Sequence, residues 1–274
     1  MICVTSSGSG YADLQPPNSL VVPGQEVHAG PVSGSDVWDE ATAAAYDRTS
    51  SFMFSAEVLD PAVDFLAALA AGGSALEFAV GTGRVAIPLT SRGVPVTGVE
   101  LSQPMVDQLH RKRPDLPVVV GDMTTATAPG TFALVYVVWN SLGNVRTQSG
   151  QVDCFRNAAR HLAPGGHFVV ELWVPQLRRF PPGQTAVPFH VGARHAGFDT
   201  LDLVTQQGTS HHYWREDDGT VRYAASNHRY VWPAELDLMA QLAGLEPVRR
   251  VADWHGRPFT ADSESAVSVW RRAD

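Results

Sequence analysis

The segment from residue 75 to residue 87, ALEFAVGTGRVAI, constrains the fold more than any other part of this 274-residue chain. A short apolar run leads into Gly81-Thr82-Gly83 and resumes directly afterwards. The pattern predicts a buried strand, a tight glycine turn and the first turn of a helix. Gly81 can adopt backbone conformations that are costly for other residues, and Gly83 allows the main chain to approach a ligand closely. We therefore expect a ligand-binding turn at the end of a central strand.

The spacing of this turn fits two kinds of ligand. Gly81-x-Gly83-x-x-Ala86 matches the fingerprint of dinucleotide-binding folds, which predicts an NAD(P)-dependent oxidoreductase. In that fold a pyrophosphate binds to the amides of the turn, where the carboxylate of Glu77 would repel it. A ligand that carries an ammonium and a sulfonium group would instead be compatible with that carboxylate. The oxidoreductase stays as an alternative, although the chain has no Tyr-x-x-x-Lys pair because Lys112 is its only lysine.

The order of strand and helix repeats after the glycine turn. Further apolar, β-prone runs are predicted as strands at residues 95–100, 118–120, 132–138 and 167–173. Helices are predicted at residues 102–113 and 151–162. This alternation indicates an α/β fold with a doubly wound, Rossmann-like parallel sheet and helices on both faces. In such sheets ligands bind at the carboxyl ends of the strands.

Composition divides the chain into four parts. Residues 1–36, rich in Ser, Gly and Pro, are predicted to be a flexible tail, and residues 37–174 to be the ligand-binding core with N-terminal helices. Residues 175–232 are predicted to be an inserted antiparallel β lid, because β-prone runs there flank the hairpin signal Asp218-Gly219. Residues 233–274 are predicted to add a helix and two antiparallel strands. The complete sheet would have seven strands, the last of them antiparallel.

Three carboxylates follow three successive strands of this pattern: Glu77, Glu100 and Asp122. Glu100 lies 19 positions after Gly81, where an acid can accept hydrogen bonds from both hydroxyls of a ribose. Asp122 would accept a hydrogen bond from the amino group of an adenine. Glu77 would bind an ammonium group, directly or through water. Together the three acids predict a cationic nucleoside as the ligand.

From about residue 46 to residue 173 the chain resembles the class I S-adenosylmethionine (SAM)-dependent methyltransferases that act on small molecules, including natural products. The residues that match the donor-binding motifs of this family are Tyr46, Glu77, Ala79, Gly81, Gly83, Glu100, Leu101, Asp122, Met123, Trp139 and Asn140. The resemblance implies that SAM is the cofactor and S-adenosylhomocysteine (SAH) the product. A methyl group would pass to an O, N or C atom of a small organic acceptor by an in-line displacement that depends mainly on positioning. A protein that binds SAM without catalysis is a further alternative.

Aromatic and histidine residues are concentrated in the predicted β-rich segment. Strand alternation places His212 and Trp214 on one face and His211 and Tyr213 on the other, but it does not tell which face lines a pocket. The candidate acceptor-site residues are Trp173, His212 and His228. The sequence identifies no catalytic base among them, and the same aromatics would also suit a homodimer interface.

The balance of charges bears on partners and location. The formal net charge is −8 and the densest basic cluster is residues 111–113, so neither nucleic acid nor an anionic membrane is an expected partner. No run approaches the roughly 20 apolar residues of a membrane span. Cys3 and Cys154 form neither a disulfide framework nor a zinc-binding spacing, which favours a cytoplasmic location. No metal site is predicted, since adjacent strand residues such as His211 and His212 point in opposite directions.

Overall fold

The structure is a computed structural model that describes residues 38–273. The strands of its main sheet are β1 (Ala75–Phe78), β2 (Val96–Glu100), β3 (Val118–Val120), β4 (Phe132–Val137), β5 (Leu162–Trp173), β10 (Leu245–Val251) and β11 (Ser265–Arg272). Their order across the sheet is β10-β11-β5-β4-β1-β2-β3. Strands β1 to β5 pair in parallel, whereas β11 runs antiparallel to both of its neighbours. This confirms the predicted seven-stranded sheet with an antiparallel last strand.

Helices cover both faces of this sheet. In residues 38–273 the α-helices are α1 (Glu40–Thr49), α2 (Ala56–Ala70), α3 (Ala86–Ser91), α4 (Gln103–Lys112), α5 (Gln148–His161) and α6 (Pro233–Leu242). Leu66, Leu89 and Leu109 bring α2, α3 and α4 into one buried apolar cluster. Phe155 and Leu236 bring α5 and α6 into another cluster, on the opposite face. Helices α2 to α6 therefore bury apolar side chains against the sheet, as the sequence periodicity predicts, whereas α1 packs on α4.

The order of the strands reverses at the centre of the sheet. From β1 the chain moves outward through β2 and β3, and it then returns to the other side of β1 to form β4 and β5. The loops that follow β1 and β4 consequently leave the sheet side by side and in opposite directions. Ligands of open α/β sheets bind at such a crevice. The glycine turn after β1 and the segment after β4 both lie at this edge.

A second sheet is formed by the segment between β5 and α6. Its four strands, in the order β6-β7-β8-β9, are all antiparallel: β6 (Ala186–Val191), β7 (His195–Leu201), β8 (Gln207–Arg215) and β9 (Val221–Arg229). The predicted hairpin joins β8 to β9, and Gly219 adopts a φ of 84° there. Gly208 pairs with His228 in the β8–β9 register, which puts Gly208, His212 and Trp214 on the same face as His228.

The division of the chain into a tail, a core and a lid stays a prediction. The predicted tail, residues 1–36, lies outside the residues that the structure describes. The four-stranded sheet lies within the predicted lid segment, whose role as a lid depends on the site described below. Within residues 38–273, no helix is long and apolar enough to cross a membrane.

Candidate active site

A cleft with a volume of about 100 Å³ opens at the carboxyl ends of β1, β2 and β3. We call it the glycine-turn cleft. Its lining residues are Trp38, Tyr46, Ala79, Gly81, Val99, Glu100, Leu101, Met105, Gly121, Asp122, Met123, Ser141 and Asn144. Those expected from the sequence to bind the donor are Tyr46, Ala79, Gly81, Glu100, Leu101, Asp122 and Met123. Ser141 belongs to the segment after β4 that resembles the donor-flanking segment of the family. The sequence did not single out Trp38, Met105 and Asn144 as donor residues, although the place of Met105 in the first turn after β2 could have indicated it.

The glycine turn adopts left-handed backbone conformations in the cleft wall. Ala79 has a φ of 54° and Gly81 a φ of 56°, so the turn contains one non-glycine residue in a costly conformation. A Cβ atom built on Gly81 would meet only the Ala79 carbonyl oxygen, at 4.0 Å. A Cβ atom on Gly83 would lie 2.9 Å from Ile87 and 3.1 Å from Leu109. Gly81 therefore exposes main chain to the cleft, whereas Gly83 allows close packing against Ile87 and Leu109. The expected approach of a ligand to Gly83 stays a prediction.

Glu100 connects the glycine turn to the end of β2. Its side chain is nearly buried at 8% exposure and accepts hydrogen bonds from the Gly81 amide and the Ser102 amide, each 2.9 Å long. Burial raises the pKa of the Glu100 carboxyl, and the hydrogen bonds from Ser102 and Gly81 partly oppose that rise. Because each carboxylate oxygen has more than one lone pair, Glu100 can still accept hydrogen bonds from a ligand in the cleft.

Asp122 and Met123 form the wall at the end of β3. One carboxylate oxygen of Asp122 accepts hydrogen bonds from the amide and the hydroxyl of Thr124, both 2.8 Å long. These bonds fix the orientation of the carboxylate at the rim of the cleft. Met123 and Met105 are nearly buried and provide apolar surface beside it. The wall thus combines a fixed hydrogen-bond acceptor with apolar surface, which suits a purine.

Glu77 lies beneath the turn and not in the cleft. It is 2% exposed, and one carboxylate oxygen accepts a 2.8 Å hydrogen bond from the Tyr136 hydroxyl. Burial raises the pKa of the Glu77 carboxyl to about 8, although the charge of Arg84 and the bond from Tyr136 lower it. The expected contact of Glu77 with an ammonium group of the ligand, directly or through water, stays a prediction, since Glu77 is not among the residues that line the cleft. In the structure its carboxyl lies at the N-terminus of α3, where it also accepts a hydrogen bond from the backbone of Ala86.

The N-terminal helix α1 closes one side of the glycine-turn cleft. Asp47 accepts a 2.6 Å hydrogen bond from the Thr82 hydroxyl and forms a 2.6 Å ion pair with Lys112. Tyr46, in the same helix, lines the cleft, and its ring packs edge-on against Trp38 with 5.2 Å between centroids. The only lysine of the chain therefore helps to hold α1 over the glycine turn.

Two strained residues follow β4 at the switch point. Trp139 and Asn140 have φ values of 55° and 59°, which is unusual for consecutive non-glycine residues. Glu171 of β5 holds this turn: one of its carboxylate oxygens accepts a 2.7 Å hydrogen bond from the Trp139 amide, and its backbone carbonyl accepts one from the Asn140 amide. The other carboxylate oxygen accepts a 2.7 Å hydrogen bond from the Trp254 indole. Glu171 had no signal in the sequence.

A second cavity, with a volume of about 290 Å³, lies beside this turn. We call it the inter-sheet cavity, because its walls come from both sheets. Its lining residues are Asn140, Trp173, Val174, Pro175, Gln176, Arg179, Phe180, Val187, Asp199, Leu201, His228, Tyr230 and Glu264. Two of the candidate acceptor-site residues, Trp173 and His228, are in this set. Trp139 is not in this set; it lines a smaller cavity together with Arg84, Glu171 and Trp254.

The structure separates the two histidines that the sequence proposed. His212 and His228 point to the same side of the small sheet, but His212 does not line the inter-sheet cavity. Instead, it forms a 3.0 Å hydrogen bond to His195 and stacks against Trp214. The opposite face of the sheet carries His211 and its neighbours and does not contribute to the lining. The sequence did not tell which face of the small sheet lines a pocket. In the structure it is the face that carries His228.

The glycine-turn cleft fits a nucleoside better than a dinucleotide. Among the described residues that line it there is no Lys or Arg to pair with a phosphate. The Gly81 amide, which would hold a pyrophosphate, already donates its hydrogen bond to Glu100. Glu100 and Asp122 supply acceptors for hydroxyl and amino groups, and Gly81 leaves open main chain. These features agree with the donor implied by the sequence motifs and argue against a nicotinamide cofactor.

Known proteins share these motifs and this fold. A family model described as a methyltransferase domain matches residues 75–166. The solved structure of the CcbJ methyltransferase from Streptomyces caelestis is 36% identical, covers 86% of this chain and 100% of that chain, and superposes with a TM-score of 0.72. Cypemycin N-terminal methyltransferase from a Streptomyces species is 28% identical over 88% of this chain and 100% of its own length. A putative methyltransferase of Bacillus subtilis, YqeM, is 32% identical over 72% of this chain and 83% of its own length.

These similarities extend well beyond the glycine turn, since they cover most of this chain and most of each relative. They agree with the strand order, with the antiparallel last strand and with a cleft that has carboxylates in place of basic side chains. The chain therefore belongs to the class I SAM-dependent methyltransferases.

Proposed function

We propose that this enzyme transfers a methyl group from SAM, bound in the glycine-turn cleft, to a nitrogen atom of a small amine bound in the inter-sheet cavity. The observation that carries the proposal is the wall shared by the two spaces. Asn140 lines the inter-sheet cavity, while Ser141 and Asn144 of the same segment line the glycine-turn cleft. A donor and an acceptor on either side of this short segment would be close enough to react.

The donor residues follow from the lining of the cleft. Glu100 would accept hydrogen bonds from the ribose hydroxyls and Asp122 from the adenine amino group, with Met105 and Met123 against the purine. SAM supplies a methyl group on a positively charged sulfur, and the carbon–sulfur bond breaks as the new bond to the acceptor forms. The contribution of the protein is then to align the acceptor with that bond and to exclude water, which in oriented reactions is worth about 7–11 kcal/mol.

Nitrogen is the acceptor atom that the cavity supports best among the O, N and C atoms that the sequence left open. The carboxylates of Asp199 and Glu264 both line the inter-sheet cavity, where they can attract and orient an amine. Cypemycin N-terminal methyltransferase is similar to this chain over most of its length and is named for action at an N-terminus. A natural-product or sugar amine would suit a cavity that combines these acids with Trp173, Phe180 and aliphatic side chains.

The first test is donor binding, measured by isothermal titration calorimetry with SAH. Glu100→Gln should weaken SAH binding roughly 10- to 100-fold, because charge-assisted hydrogen bonds are worth about 1.5–3 kcal/mol. Glu246→Gln, at an exposed ion pair with Arg271, is the matched control and should leave SAH affinity unchanged. Binding of NAD(H) or NADP(H) in place of SAH would contradict the proposal.

The second test is product formation on a panel of matched small amines and alcohols, followed by mass spectrometry. A methylated amine, with no methylated product from the matching alcohol, is the expected result. Methylation of the alcohol alone would refute the choice of nitrogen. Tight SAH binding without any methylated product would favour the alternative of a protein that binds SAM without catalysis.

Partners and location complete the proposal. The formal net charge of −8 favours a free small molecule over a nucleic acid as the acceptor. The outer face of the small sheet carries aromatic rings in contact, including Tyr213 and Tyr223 at 38% and 44% exposure, and a second copy of the chain would cover them in a homodimer. A cytoplasmic location agrees with Cys154 being a buried thiol. Sedimentation analysis would test the homodimer.

A further inference from the structure

We propose that His228 is the general base of the methyl transfer and that Asp199 assists it. This inference rests on the proposed function, because it concerns the acceptor in the inter-sheet cavity. Asp199 of β7 and His228 of β9 both line that cavity, together with Asn140 of the segment that separates it from the glycine-turn cleft. The base would therefore lie in the acceptor cavity, on the opposite side of this segment from the donor.

The position of the His228 ring is built into the small sheet. Its pairing partner across β8 is Gly208, and a Cβ atom built on Gly208 would lie 2.4 Å from the His228 Nε2 atom. The imidazole thus occupies the space that any side chain at position 208 would need. A Cβ atom built on Gly143 would likewise lie 3.6 Å from the His228 Cβ atom. Two glycines therefore let this histidine fit between the small sheet and the wall of the donor cleft.

The surroundings of His228 favour a ring that is neutral and can accept a proton. Burial lowers the pKa of His228, and the charge of Asp199 together with a hydrogen bond to the Ser226 backbone partly opposes that effect. The other charged and titratable groups of the cavity are Glu264, Arg179 and Tyr230. Asp199 is itself held by a 2.7 Å hydrogen bond from the Ser210 hydroxyl. A fixed carboxylate of this kind stabilises the imidazolium that forms when His228 takes up a proton.

Three of the other histidines of the small sheet already have hydrogen-bond partners, and the fourth, His190, is exposed and does not line the cavity. Both ring nitrogens of His211 have partners, the Tyr223 hydroxyl at 2.8 Å and the Thr200 hydroxyl at 3.0 Å. His195 and His212 share a hydrogen bond with each other. No side chain in residues 38–273 is hydrogen-bonded to the His228 ring. Of the five histidines of the small sheet, only His228 both lines the cavity and has a ring nitrogen available to the methyl acceptor.

The proton balance of the reaction gives this base a task. The amine nitrogen uses its lone pair to form the bond to the methyl carbon, and the electron pair of the broken carbon–sulfur bond stays on sulfur. The nitrogen must lose one proton in the process, before or after the bond forms. His228 takes that proton on its free ring nitrogen and releases it to solvent. A positioned base of this kind typically contributes about 10²–10⁴-fold to the rate.

The test compares His228→Asn with His190→Asn, which changes an exposed histidine on β6. With SAM saturating, we expect kcat of His228→Asn to fall about 10²- to 10³-fold. The decrease of kcat at acidic pH that wild type shows should disappear from the pH–rate profile of this variant. SAH affinity, measured by calorimetry, should stay within twofold of wild type. His190→Asn should keep kcat within about threefold. Added imidazole should partly restore the activity of His228→Ala, a recovery that a purely structural role would not give. In Asp199→Asn the decrease of kcat at acidic pH should occur at a lower pH than in wild type.

Several outcomes would overturn the inference. If kcat of His228→Asn stays within threefold of wild type, His228 is not the base, whereas the proposed function stands as long as wild type makes the methylated amine. If wild type binds SAH but makes no product, the proposed function fails before the base is in question. If the variants do not fold, NMR titration of His228 in the wild-type SAH complex decides. A ring that stays protonated above pH 8 refutes the role as a base, and a neutral ring at pH 7 supports it.

Discussion

Glu77 is a buried carboxyl that should make the stability of the protein depend on pH. Burial raises its pKa from an ordinary 4.5 to about 8 in the folded state. Between these two values the folded protein keeps a proton that the unfolded chain has already released. The contribution of Glu77 to the free energy of unfolding should therefore be complete below about pH 5 and should decrease as the pH rises to about 8. The upper bound on this loss is on the order of a few kcal/mol.

The measurement is the free energy of unfolding at pH 5 and pH 8 for wild type and Glu77→Gln. Glutamine can still pair with the Tyr136 hydroxyl but carries no charge, so the variant should lose less stability than wild type across this range. The exposed Glu246→Gln variant should follow the wild-type curve. Equal slopes for wild type and Glu77→Gln would mean that Glu77 is not protonated in the folded protein.

The residue types of the site could be predicted from the sequence, but not the direction of each side chain. Glu77 and Glu100 both come at the end of a strand, yet Glu100 lines the glycine-turn cleft and Glu77 points beneath the turn. Gly83 likewise has the spacing of a ligand-binding glycine but provides room for Ile87 and Leu109. A strand-end position fixes the edge of the sheet at which a residue lies. Which side of the turn its side chain reaches depends on packing partners that are distant in the sequence.

The turn after β4 is an element whose shape depends on one carboxylate. Two consecutive left-handed, non-glycine residues cost of order 1–3 kcal/mol each, and Glu171 offsets this with hydrogen bonds to Trp139 and Trp254. In Glu171→Gln the single amide oxygen cannot accept both of these hydrogen bonds. Since Asn140 lines the inter-sheet cavity, we expect kcat/KM for the acceptor to fall roughly 10- to 100-fold with SAH affinity unchanged.

Steady-state kinetics and calorimetry on the same preparations check this expectation. Trp254→Phe removes only one donor to Glu171 and leaves the bond from the Trp139 amide, so its loss in kcat/KM should be smaller. If both variants lower the melting temperature but keep wild-type kcat/KM, Glu171 stabilises the fold without shaping the site.

The elements themselves were largely predictable, because long apolar runs between glycine and proline signals identify buried strands. The start of α2 was not. Asp60-Pro61 has the pattern of an N-cap followed by the first residue of a helix, whereas the helix begins at Ala56 after Ser55 and contains Pro61. When two possible helix starts lie close together in the sequence, tertiary contacts decide which of them is used. The hydrogen bond between Glu171 and the Trp139 amide could not be predicted from the sequence either, because the two residues lie 32 positions apart.

At the scale of the whole molecule, a buried cation links the small sheet to helices α5 and α6, which pack on the main sheet. The Arg229 side chain, at the end of β9, is 4% exposed and forms a 2.7 Å ion pair with Glu235 of α6. It also donates hydrogen bonds to Gln206 and to Gln151 of α5. Arg229 and Gln151 lie 78 positions apart. No local pattern therefore predicts this contact, although the sequence predicts both sheets.

Loss of this cation should loosen the wall of the inter-sheet cavity without touching the donor cleft. Removing one partner of a buried ion pair costs about 3–5 kcal/mol, so Arg229→Met should lower the melting temperature by roughly 6–15 °C. Arg222→Met, on the same strand but in an exposed pair with Glu216, should cost less than about 1 kcal/mol.

Because His228 precedes Arg229 in β9, the acceptor KM should rise in Arg229→Met while SAH affinity is retained. Hydrogen exchange should be faster in β8 and β9 than in β1 and β4, and uniform loss of protection would show that the two sheets unfold as one unit.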